Sequence, residues 1–345
     1  MTTSLKATLD QALRAYAVVD QKSISPPTRN PLTGVGEYLP EKDRLFVHQY
    51  TELIEQGLWA ARKGDLTNAD KWLCSARSLL YNTDLSHEGF LLFKVAYETS
   101  TAYLDYCHSD FDTAVSRLNE ALLIDEQLEK KKNEYALLHL HRIQILLNDV
   151  QLNARRNHIK EAMDMSFHIL NYLERKTKTI PTVTSWDSTQ LVFLPQQIVA
   201  DLFVGTTYKI ASMVAGRKTI LVEGQDLDVR DLFAGAQTHI QVGDTGSCHL
   251  SPPAHAWLRA KQAFVDNDGA DFLSKAADIL AEGQGDAPFF WYATLVDLFA
   301  FCRQWDLPEA STVKRMIENA PWQIWRFLPK TWKQILGSGS SRLFP

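Results

Sequence analysis

Four short stretches of the chain share one form: GDLTNA at 64–69, SDFDTA at 109–114, NHIKEA at 157–162 and WDLPEA at 305–310. After an opening residue, which is Gly, Ser or Asn in the first three, comes Asp or His (Asp alone in the fourth), then one apolar residue, two variable ones and Ala. Each position has a physical use at a corner between helices. A Gly, Ser or Asn ends a helix where the left-handed conformation is cheap, and an Asp caps the helix that follows. The apolar residue anchors the turn, and the Ala lets two helices approach closely. A chain built from a series of such corners buries its core by stacking helix pairs, and usually works by holding something in the groove the stack creates.

Residues 43–176 support this, with Leu, Ala and aromatic residues at three- and four-residue intervals and almost no internal Gly or Pro. Residues 1–42 read as an amphipathic helix (Leu5, Leu9, Ala12, Leu13, Tyr16) followed by a Pro-rich linker. Residues 177–256, richer in Pro, Gly, Thr and Val, form an irregular central insertion. It is expected to hold helices near 195–214 and 227–237 and extended pieces near 218–223 and 238–242. Helical periodicity returns in 257–336, and 337–345 is expected to be a disordered tail. The fold class is therefore all-α, an α-α superhelix of antiparallel helix hairpins with an irregular insertion.

The corners and their flanks resemble the tetratricopeptide repeat. That family places a small residue at the first helix's contact, Gly at the turn, and Ala, a large apolar residue and Ala along the second helix. Here those roles fall on Gly57, Gly64, Ala69, Leu73 and Ala76, then on Ala102, Ser109, Ala114, Leu118 and Ala121. A third unit has Val150, Asn157 and Ala162, with Ser166 and Ile169 after them. The corners recur after 45 and 48 residues, from 64 to 109 to 157, against about 34 in the family, which predicts helices of ~20 residues. The family's usual Trp and closing Pro are missing. The resemblance implies a right-handed superhelix whose first helices line a concave groove. Position by position, it puts Arg62, Tyr103, Tyr106, Asn148, Gln151 and Arg155 on that groove as peptide-binding residues. Such side chains suit the backbone and acidic groups of an extended peptide. The full Lys and Asn set that some members use to clamp a terminal carboxylate is absent.

Other constellations are incomplete. In NEYALLHLHRIQILLND, Glu134 and His141 fall near one face and His139 turns away, with neither HExxH nor ExxH present, so no metal is expected. Cys248 and His249 are adjacent in GDTGSCHL and would point to opposite sides of an extended chain, so this His is not the base for this Cys. No GK[ST] follows to make a phosphate loop. Asp226, Asp228 and Asp231 lack the Gly and terminal Glu of a Ca²⁺ loop. The segment PWQIWRFLPKTWKQIL at 321–336 is either a lid over the last repeat or an interfacial anchor, and a lid fits a stacked array better.

With 36 basic and 41 acidic residues, the net charge of -5 disfavours direct nucleic-acid binding. Four cysteines far apart suit a reduced, cytoplasmic chain, and no export signal or apolar run of membrane-spanning length is present. The expectation is a cofactor-free peptide- or protein-binding scaffold, adaptor or regulator rather than an enzyme. Two rivals stand beside it. One is an accessory enzyme with a pocket between the repeats and 177–256; the other is a peptide-sensing regulator without its own DNA-binding domain.

Overall fold

The computed structural model describes residues 9, 35–237, 250–284, 287–320, 322–325 and 328–337. The expected N-terminal helix (Leu9 apart), the linker up to residue 34, the extended piece at 238–242, the Cys248 and His249 loop and the tail from 338 lie outside the described residues. Within them the protein is all-α, with one two-stranded antiparallel sheet. The chain divides into two compact units, Pro27–Leu202 and, together, Met1–Pro26 with Phe203–Pro345.

The first unit contains α1 (Glu41–Arg62), α2 (Leu66–Asn82), α3 (His87–Cys107), α4 (Phe111–Glu129), α5 (Leu137–Arg155) and α6 (Ile159–Leu173). Each packs on the next, and α1 also packs on α3. Helices of 22, 17, 21, 19, 19 and 15 residues account for the long period. The small residues are where close approach requires them: Ala69, Ala76, Ala114, Ala121 and Ala162 are fully buried. A Cβ on Gly57 would meet Leu73 Cγ at 2.9 Å, so α1 and α2 touch through a missing side chain.

The corners share one backbone device. Gly64, Ser109 and Asn157 adopt φ of 80°, 64° and 64°. The next residue's N–H then reaches back to the carbonyl five residues earlier: Asp65 to Ala60, Asp110 to Asp105 and His158 to Asn153, at 2.9–3.0 Å. Asp65 and Asp110 also accept from the N–H groups of Asn68 and Thr113, each at 3.2 Å, which caps α2 and α4. His158 makes no such cap. Beyond α6, Trp186 packs edge-on to Tyr172 and His139, and the Arg142 guanidinium stacks over its ring at 4.1 Å.

The second unit holds all but the first seven residues of α7 (Gln196–Val214), with β1 (Thr219–Val222), β2 (Gln225–Asp228), α8 (Val229–Gln237), α9 (Pro252–Val265), α10 (Gly269–Glu282), α11 (Pro288–Gln304), α12 (Ala310–Glu318), α13 (Trp322–Trp325) and α14 (Lys330–Ile335). The periodic stretch expected over 257–336 is interrupted at Asn267 (φ 63°), where Asp268 caps α10 through Asp271 N–H at 3.0 Å. This is a corner of the same backbone kind, with Gly269 where the others have an apolar residue and Phe272 where they have Ala. At 305–310 the left-handed residue is Asp306 (φ 51°), not Trp305, so that Asp is the turn and not the cap. Pro308, which rejects the residue before it from helical geometry, delays α12 to Ala310.

The core of this unit carries a buried ion pair. Lys261 Nζ donates to Asp297 at 2.7 Å and to the Arg217 carbonyl at 3.0 Å, and Asp297 also accepts from Gly216 N–H at 2.6 Å and Trp257 Nε1 at 3.2 Å. Burial pushes the Lys261 pKa down and the Asp297 pKa up, and each pulls the other back. In the aromatic C-terminal segment, Trp332 is fully buried and donates to the Ala211 carbonyl of α7 at 3.2 Å, while Leu328 and Leu336 are buried beside it. That apolar surface is spent inside the unit. No described helix is long and apolar enough to cross a membrane.

Candidate binding groove

In the first unit, the helices that open each pair, α1, α3 and α5, line one groove of about 1010 Å³. The helical period explains which residues reach it. Glu55, Trp59 and Arg62 come from α1, while Ala96, Thr99, Tyr103 and Tyr106 come from α3. From α5 come His141, Gln144, Asn148 and Gln151, spaced by 3, 4 and 3 residues, an unbroken polar row along one face.

Five of the six residues expected from the sequence, Arg62, Tyr103, Tyr106, Asn148 and Gln151, line this groove. Arg155, the sixth, continues the α5 row one turn further and sets its guanidinium 5.7 Å from the Tyr106 ring centroid. Tyr103 and Tyr106 stack on each other with centroids 5.8 Å apart. Burial pushes the Tyr103 phenol pKa up, and nearby Arg62 offsets part of that rise. Arg62 and Arg155, the last residues of α1 and α5, thus flank one tyrosine pair. Neither has an acidic partner among the described residues, and helix C-termini favour cations there.

Sequence reasoning missed the floor of the groove. His141 is not set against Glu134, which is exposed in a short 3-10 turn (Asn133–Ala136) before α5 begins. Its Nδ1 lies 2.6 Å from Asp125 Oδ2 of α4, and Asp125 is fully buried. Burial raises the Asp125 pKa, and His141 followed by Arg142 counteract it. His139, on the far side of α5, bonds Glu129 at 2.8 Å and the Tyr172 hydroxyl at 2.6 Å. Each histidine thus takes an acid from α4, a pairing between helices that spacing along one helix does not reveal. Trp59, half exposed under the Lys63 ammonium at 3.4 Å, was also missed, as were Gln144 and Glu55. The phase of the α5 row would have found Gln144 and His141, since 141, 144, 148, 151 and 155 fall on one stripe.

Gln144 and Asn148 make no side-chain hydrogen bond among the described residues, so each offers a donor and an acceptor to a ligand. No three His, Cys, Asp or Glu side chains gather to hold a metal ion among those residues. No family model, curated protein or solved structure matches the chain.

Proposed function

We propose that the protein binds an extended peptide or protein segment in the groove of its first unit, as a cytoplasmic scaffold, adaptor or regulator built on tetratricopeptide-like helix pairs. The observation that carries this reading is the pair of α5 amides, Gln144 and Asn148, without a side-chain partner among the described residues, facing the tyrosine and arginine cluster of α1 and α3. A peptide main chain presents N–H and C=O groups at each residue, and amides that both donate and accept can follow it without regard to sequence. The stacked tyrosines supply rigid apolar area at low entropic cost, and the two unpaired guanidiniums attract an acidic side chain.

Display of a random twelve-residue peptide library against the folded protein tests the reading. The wild type should enrich a peptide family that the Arg62→Ala/Tyr106→Ala/Arg155→Ala variant, folded by circular dichroism, does not retain. Equal enrichment by both proteins, or none by either, would remove the groove as the binding site.

A further inference from the structure

Resting on the peptide reading, we infer that the groove selects a two-anchor register: an acidic side chain at the Arg62 and Arg155 end, and an amide side chain about six residues away on His141. The two ends of the α5 row differ in chemistry. Arg155 marks one end, with Arg62 across the tyrosine pair from it, and both guanidiniums lack an acidic partner among the described residues. A carboxylate there gains charge-assisted hydrogen bonds.

At the other end, the buried Asp125 holds His141 by Nδ1, which leaves Nε2 as the ring nitrogen available to the groove. When the ring is neutral, Nε2 accepts; when it is protonated, Nε2 donates. A side-chain amide satisfies both states, whereas a carboxylate would face the neighbouring Asp125 charge. Asp125 is therefore a positioning residue and His141 the contact. Glu55 lies on the opposite wall and, by the 45- and 48-residue offsets, in register with Asn148. It disfavours an acidic residue in the middle of the ligand and so keeps the acid at the arginine end.

The spacing follows from helix geometry. His141 and Arg155 are 14 positions apart on α5, which is about 21 Å of helix at ~1.5 Å per residue. An extended peptide rises about 3.3 Å per residue, so it covers that distance in about six residues. Between the anchors, Gln144, Asn148 and Gln151 run beside the peptide backbone.

Fluorescence anisotropy with the full chain tests this, using labelled peptides with blocked termini that carry one Glu and one Gln in a Ser/Ala background. Their separation is varied from two to ten residues, in both orders. Affinity should peak at a separation of five to seven in one order, about tenfold above the series at three and at ten. The His141→Leu/Asp125→Asn pair, chosen to leave no unpaired buried charge, should flatten the dependence on Gln position and keep the dependence on Glu. His141→Gln, which retains both hydrogen-bonding roles, should preserve the peak. Binding that is insensitive to separation but still weakened by Arg62→Ala/Arg155→Ala overturns the two-anchor register and leaves the groove reading standing. Binding by no peptide in the series, when the displayed library also enriches none, overturns both.

Discussion

Helices α5 and α11 each open a helix pair, yet Gln144 and Asn148 of α5 and Asp297 and Thr294 of α11 have opposite fates. In α11, 13 of 17 residues are buried, and two of its polar side chains have their bonds made inside: Asp297 accepts from Lys261, Gly216 and Trp257, and Thr294 donates to the Phe290 carbonyl. In α5, 10 of 19 are buried, and Gln144 and Asn148 are left without a partner among the described residues. A polar residue in a helical array is either glue with its hydrogen bonds made, or a surface kept ready for something else. The first costs much to disturb, because a buried group left unpaired retains its desolvation penalty. The second costs the fold little and the ligand much.

The largest effect that would sharpen this contrast is Lys261→Met. It strands the Asp297 carboxylate and should destabilise the second unit by about 3–5 kcal/mol in urea unfolding. A loss below about 1 kcal/mol would mean that Asp297 is neutral there and that the pair is not glue. Next in size, Gly57→Val forces a side chain into Leu73 and should cost about 1–3 kcal/mol. A neutral result would show that α1 and α2 do not meet as closely as described.

The corners come third. Gly64→Ala puts a Cβ at φ 80° with open space around it, so it should cost about 1 kcal/mol of conformational strain alone, and Ser109→Gly should shift stability the other way. Acid titration adds a pH-resolved check. Burial alone would raise the Glu126 pKa, but bonds from Lys130 and Ser185 prevail and hold it at about 2, below its ordinary 4.5. A depressed carboxylate stabilises above its unfolded pKa and loses that contribution as pH falls through its folded one. The stability difference between wild type and Glu126→Gln should therefore be full above pH 4.5 and vanish towards pH 2. A difference that grows with acid would contradict this assignment. The smallest effect is Asn148→Ala, expected to change stability by no more than about 0.5 kcal/mol while it weakens peptide binding. A large loss of stability would make Asn148 glue after all and dissolve the comparison.

Much of the helical order was legible because corners and helices are local. The left-handed residue, the capping Asp and the buried Ala sit within six residues of one another, so Gly64, Ser109 and Asn157 read directly. The Asn267 corner escaped because the pattern demanded an apolar residue and an Ala where Gly269 and Phe272 stand, although Asn followed by Asp was sufficient signal. At 305–310 Pro308 shifted the turn by one residue, a local effect that the shared hexapeptide form concealed. The groove residues emerged from repeat phase, since Arg62, Tyr106 and Arg155 occupy nearly equivalent helical positions. The histidine pairings were hidden for a different reason: Asp125 with His141 and Glu129 with His139 join separate helices, and only their packing brings them together. The Lys261 and Asp297 pair, 36 residues apart, was illegible on the same grounds.

The most direct test of the central claim is hydrogen–deuterium exchange on the full chain, with and without a saturating peptide taken from the display selection. The groove account predicts added protection, or slowed opening, concentrated in peptides covering residues 54–62, 96–106 and 141–155, with α9 to α12 unchanged. Protection centred on α9 to α12, or binding with no change at the three groove helices, would place the site elsewhere and contradict the account.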